Sequence, residues 1–181
     1  MGRSDMTESV SVDQILDAAV TLYSVRGPSE VSMDDIADAC GCQRNTLERY
    51  FASLELLQLA YAGREAMRLA DVVAARTEDI ADPAERLAEA VLTTLHRVRS
   101  TPALASWVNS GDHDLILEIS RSAQVTDALT KRYLPAVVDS ETRAEWLVRS
   151  ILSLLLDPAS DAARERTLIT DFLVPALLGQ G

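Results

Sequence analysis

Four consecutive residues carry the most specific chemistry in this 181-residue chain: Gln43, Arg44, Asn45 and Thr46. An arginine fork matches the O6 and N7 edge of guanine, and asparagine or glutamine pairs with adenine through two hydrogen bonds. A run of these types at one exposed helix start is therefore suited to reading bases in a DNA major groove. The bland alternative is a polar, solvated helix face. Shortly after them, Arg49 and Tyr50 supply a cation and a phenol of the kind that meet phosphate oxygens. Tyr50 could equally belong to a core.

These residues need a scaffold, and the stretch Val31 to Phe51, VSMDDIADACGCQRNTLERYF, predicts one. Ser32 caps a short helix with Asp35 three residues on, and Ile36, Ala37 and Cys40 recur at the spacing of one buried face. Gly41 follows the last periodic residue, where glycine takes the left-handed conformation that closes a helix. A second helix then sets Leu47 and Phe51 one turn apart. Two short helices around a tight turn form a helix-turn-helix, in which the second helix lies in the major groove with its N-terminal residues at the base edges. The helix that Ser32 caps would offer its first amides to a phosphate.

The resemblance spans about fifty residues. Val12 to Tyr61 resembles the DNA-binding domain of TetR-family transcriptional regulators: IleLeu at 15 and 16, AlaAla at 18 and 19, Leu22 and Tyr23, Gly27, then VSMDDIA, Gly41, Thr46-Leu47 and Tyr50-Phe51. It implies an all-α protein with an N-terminal three-helix head and a C-terminal helical body that binds an effector and dimerises. It also implies a repressor whose dimer binds a palindromic operator and is released by a small molecule. The chain departs from the family pattern at Glu48, where tyrosine is usual, and at Leu54, where lysine is usual; both family residues touch DNA phosphates. Glu48 lies within reach of Arg44, four residues earlier on the same face, and a pair between them would occupy the base-reading arginine.

Charge pulls the other way. The net charge is −11, and DNA binders usually carry a basic footprint. Residues 1–62 hold four arginines against ten carboxylates, a net −6 on the half that should meet DNA. The rival reading is therefore a TetR-fold ligand sensor or interaction protein that has lost DNA binding.

Enzymatic chemistry finds no footing. There is no Gly-x-Ser-x-Gly, no phosphate-cradling glycine loop and no His-Glu-x-x-His, so no catalytic residue and no cofactor is expected. Cys40 and Cys42 would need two more ligands to hold zinc, and no spacing gathers His96 and His113 to them. So close a pair at a helix end is also expected to be poorly placed to bridge, which fits a reduced compartment. No apolar run approaches a membrane span, and Met1 to Ser11 has no apolar signal core, so the expectation is a cytoplasmic protein with no membrane partner.

The remaining elements follow from apolar content of 48%, few glycines and prolines, and helical periodicity. Residues 1–10 are expected to form a flexible arm, 11–55 the head and 56–181 the body. Ser11 and Gln14 box the start of a first helix, striped by Ile15, Leu16, Ala19, Leu22 and Tyr23 to about Ser24. A fourth helix from Ser53 to about Arg76 shows an inner face of Ala60, Gly63, Met67, Ala70 and Ala74. Asp82-Pro83 and Thr101-Pro102 open two more. Leu115, Ile116 and Ile119 suggest a further helix, and Val125, Leu129 and Tyr133 another that ends at Pro135. Ser140 to Leu156 is apolar nearly all round and must be covered on several sides, and the terminal helix carries Phe172 and Leu173. A second subunit or the chain's own core could supply that cover. The resemblance implies a homodimer through these two helices, with Ile151, Leu154, Leu155, Phe172 and Leu173 in the interface. It also implies an effector cavity between the middle helices, for which Trp107, Asn109, His113 and Trp146 are candidates and satisfied core positions are the plain alternative.

Overall fold

Capping chemistry sets the helix starts. The computed structural model describes residues 10–111, 116–118, 121–122 and 141–179, and every regular element among them is helical. In α1 (Val12–Arg26) the Ser11 Oγ accepts the Gln14 N–H at 3.2 Å and the Gln14 side chain accepts the Ser11 N–H at 2.8 Å, so two orphan donors are satisfied reciprocally. A 3-10 turn (Pro28–Glu30) leads to α2 (Met33–Ala39), which Ser32 and Asp35 box in the same way. Gly41, at φ +69°, makes the turn into α3 (Arg44–Tyr50). The long α4 (Leu54–Thr77) starts under a Ser53 cap, and α5 (Pro83–Ser100) starts under Asp82 with Pro83 in its first turn. A short α6 (Pro102–Asn109) follows.

The C-terminal part holds α7 (Glu141–Leu156) and then α8 (Ala162–Thr167), which widens into a π-helical turn (Leu168–Leu173) before α9 (Val174–Leu178). The sequence pattern predicts one regular terminal helix here. Pro175 explains the difference: it lacks an N–H and its ring crowds the preceding turn, so the chain relaxes to wider spacing just before it.

Two apolar cores result. The head core gathers Ile15, Leu16 and Tyr23 of α1, Ile36 of α2, Leu47 of α3, and Phe51. It also takes Leu57 and Tyr61 of α4 and Ala103 and Trp107 of α6. The body core joins Leu69, Ala70 and Val73 of α4 with Leu87, Val91 and Leu95 of α5, Leu147, Ile151 and Leu155 of α7, and Ile169, Leu173 and Leu177 of the terminal helices.

The inner face of α4 differs from its expected position. Leu57, Tyr61, Ala66, Leu69, Ala70, Val73 and Thr77 are buried, whereas Met67 is 44% exposed, and of the stripe of small residues only Ala70 is buried. Larger side chains reach the core from the neighbouring face of the helix and remove more apolar surface from water than alanine and glycine can. Ile116 is buried in a helical stretch at 116–118. The arm at 1–9, the expectations for Leu115 and Ile119, and those for Val125, Leu129, Tyr133 and Pro135 lie outside the described residues.

Candidate nucleic-acid interface

The recognition helix is held from behind and presents its polar face outward. Leu47 is wholly buried and Phe51 nearly so, which pins the inner side of α3 against α1 and α2. Replacing a leucine so placed by alanine costs about 2–5 kcal/mol. Gln43, Arg44, Asn45, Arg49 and Tyr50 are exposed and Thr46 is half-buried, so the core alternative for Tyr50 is not realised. Gln43 sits at the N-cap, where its carbonyl accepts the Thr46 N–H at 2.8 Å and its side chain makes no capping bond.

Arg44 is not free. Its Nε donates to Glu48 Oε1 at 2.8 Å, the i,i+4 pair expected from the sequence, and its Nη1 donates to Asp34 Oδ2 at 2.7 Å. The second contact crosses from α3 to the first turn of α2. The two carboxylates, Glu48 foremost, hold the guanidinium still more firmly in its charged form, and they engage two of the five donors with which it could meet a guanine.

Ser32 is likewise engaged. Its N–H and hydroxyl both donate to Asp35 Oδ2, at 2.8 and 2.5 Å, while its Oγ accepts the Asp35 N–H. Arg26 reaches the other Asp35 oxygen at 2.9 Å, tying the end of α1 to the start of α2. The Ser32 hydroxyl, the Ser32 N–H and then Arg26 hold the Asp35 carboxyl down to about 2. Asp35 thus sets a carboxylate at the N-terminus of α2, where it complements the helix dipole. Of the head's described arginines, 26, 44 and 49, Arg49 makes no ion pair among the described residues. Leu54, where the family pattern expects lysine, packs half-buried against the head core.

A cluster the sequence does not reveal couples head to body. Tyr23 of α1, Tyr61 of α4 and Trp107 of α6 meet with ring centroids 5.1–5.4 Å apart, two contacts edge-on and one stacked. Such pairs contribute about 0.5–1.5 kcal/mol each beyond burial. Burial drives both tyrosine hydroxyls well above their usual range. Sequence spacing alone cannot find this cluster, because its members lie on three helices far apart in the chain.

The described effector candidates differ in burial. Trp107 belongs to the head core, Asn109 is exposed at the end of α6, Trp146 is 53% exposed on α7, and His113 lies outside the described residues. Of the interface candidates, Ile151, Leu155 and Leu173 are buried within the protomer's own body core, and Leu154 is partly buried against it. Phe172 stands 67% exposed, and Trp146 and Leu156 are also exposed. Among the described residues no group of three or more His, Cys, Asp or Glu could hold a metal, and no helix is long and apolar enough to cross a membrane.

Comparison with known proteins agrees with this geometry. Residues 15–61 match the family of bacterial regulatory proteins named after tetR. An uncharacterized HTH-type transcriptional regulator of Mycobacterium tuberculosis is 40% identical over 171 residues, covering 92% of this chain and 85% of the relative. Among solved structures, the TetR family repressor AlkX from Dietzia sp. strain DQ12-45-1b, implicated in biodegradation of n-alkanes, superposes with a TM-score of 0.71 at 21% identity, over 98% of this chain and 97% of that one. The fatty acid degradation regulator FadR from Bacillus halodurans does so with a TM-score of 0.61 at 20% identity, over 93% and 97%. A pinned helix-turn-helix, a helical body and a relative matched along nearly the whole chain lead to one assignment: the chain belongs to the TetR family of bacterial transcriptional regulators.

Proposed function

We propose that the protein is a cytoplasmic, non-enzymatic repressor that binds a palindromic operator as a homodimer and is released by a small-molecule effector. The observation that carries this reading is the outward display of Gln43, Arg44, Asn45, Arg49 and Tyr50 from a helix whose other face is locked by Leu47 and Phe51. Gln43, Arg44, Asn45 and Thr46 take the base edges, and Arg49, Tyr50 and the Ser32 turn take the phosphates. Dimerisation is supported by the exposure of the large apolar side chains Phe172, Trp146 and Leu156 on the last helices. In this reading residues 11–55 with the first turns of α4 form the DNA-binding unit, and the rest forms the effector-binding and dimerisation body. An effector shifts α6, and Trp107 passes the shift to Tyr23 and Tyr61.

The second reading, a family member that senses a ligand without binding DNA, is favoured by the capture of Arg44 between Asp34 and Glu48 and by the net charge of −6 on residues 1–62. Footprinting of the DNA upstream of the protein's own gene separates the two. A protected inverted repeat with half-sites about one helical turn apart supports the repressor. Absence of protection at low salt, with the protein folded and dimeric, supports the sensor.

A further inference from the structure

We infer that Cys40 and Cys42 form a reversible thiol switch in the helix-turn-helix turn, closing to an intramolecular disulfide under peroxide and thereby displacing the start of the recognition helix. Residues this close along the chain are expected to be poorly placed to bridge, yet the turn at Gly41 folds the two sulfurs to 3.1 Å of each other. Both thiols are free and half-buried at the edge of the head core. A disulfide needs its sulfurs about 2 Å apart, so closure asks for roughly 1 Å of approach.

The backbone decides which residue moves. Cys40 is anchored as the last turn of α2 through its N–H to the Ile36 carbonyl at 3.0 Å. Cys42 is held by one closing bond, its N–H to the Ala37 carbonyl at 2.9 Å, and the next residue, Gln43, supplies the carbonyl on which α3 begins. Pulling Cys42 toward Cys40 therefore shifts Gln43 and Arg44, the leading edge of the base-reading face.

Burial first, and then the Cys40 sulfur, push the Cys42 thiol up to about 11, which makes it a poor initial nucleophile at neutral pH. Cys40 accordingly attacks hydrogen peroxide, its sulfur taking one oxygen as a sulfenic acid and the other oxygen leaving as water. The Cys42 sulfur then displaces that hydroxyl, its proton leaving with it as a second water. Two thiols and one peroxide become one disulfide and two waters. Two cellular thiols reopen it by exchange: the first attacks one sulfur of the bond, the second displaces it as a disulfide, and both cysteines are left as thiols.

This inference rests on the DNA-binding reading for its consequence but not for its chemistry, and the test separates them. The full-length protein is treated with hydrogen peroxide, its free thiols are alkylated under denaturing conditions, and the peptide carrying both cysteines is weighed. The expected result is a peptide two hydrogens lighter that resists alkylation until dithiothreitol is added, with faster amide exchange in residues 43–47 and about tenfold weaker binding to the upstream duplex, the loss of about one base contact. Cys40→Ala/Cys42→Ala should fold normally by circular dichroism and respond to peroxide in none of these readouts. In Cys42→Ala, Cys40 should be trapped as a sulfenic acid by dimedone. Thiols that stay fully alkylatable, cross-link between chains, or go on to sulfonic acids overturn the proposal, as does a disulfide that leaves amide exchange in residues 43–47 unchanged. If the reduced protein binds no DNA, the repressor reading fails while the mass and exchange readouts still decide the switch.

Discussion

Neutralising the two carboxylates that grip Arg44 should strengthen operator binding. Asp34→Asn with Glu48→Gln keeps both side-chain shapes and removes two negative charges from each protomer. The guanidinium is 52% exposed and its partners 63% and 42%, so these are surface pairs, each able to shift an equilibrium by about two- to fivefold. They compete with a guanine for Arg44, and removing both should tighten specific binding by about three- to twentyfold. Because both carboxylates hold one side chain, the single substitutions should not add up to the double. The melting temperature should hardly move. Fluorescence anisotropy against the upstream duplex and a version with the candidate guanines replaced provides the assay. Unchanged or weaker binding by the folded double variant would refute the idea that the pairs restrain Arg44, and would mean that they aim it instead.

Further expectations concern neighbouring residues. Arg49→Ala should weaken binding to all sequences alike and reduce the salt dependence by about one phosphate contact per protomer, measured as the slope of log affinity against log salt. Glu48→Tyr with Leu54→Lys should tighten binding to generic duplex and steepen that slope by roughly one to two units. Asp35 has a folded-state value below its ordinary 3.8, so its contribution to stability is present above that value and lost as pH falls toward about 2. Asp35→Asn should therefore melt lower than wild type at neutral pH, and the gap should close between pH 4 and about 2. Phe172→Glu, at the most exposed apolar side chain of the last helices, should give monomers in light scattering if those helices form the interface. A dimer unaffected by that change would place the interface elsewhere.

The head was legible because its signals are local. Capping boxes at Ser11 and Ser32, the glycine at 41, and the one-turn spacing of Leu47 and Phe51 each act within a few residues, and the structure realises all of them. The Arg44–Glu48 pair is also local, one helical turn apart, and was found; its partner Asp34 lies ten residues back on another helix and was not. The body was less legible for the same reason. On α4 apolar residues flank the stripe of small side chains, so periodicity could not say which set turns inward, and Met67 is 44% exposed where an inner position was expected. The Tyr23–Tyr61–Trp107 contact depends on how α6 packs back onto α1, which sequence spacing does not encode. The turn that brings two sulfurs together at Cys40 and Cys42 depends on one glycine dihedral, which composition suggests but does not position.

The most direct test of the account is a titration of the intact protein against the duplex upstream of its own gene and against a shuffled duplex of equal composition, across a series of salt concentrations. The account predicts binding with two protomers per site, an advantage for the upstream duplex of about a thousandfold or more, and affinity that falls steeply with salt. Equal affinity for both duplexes, or no binding even at low salt by a folded protein, would contradict it.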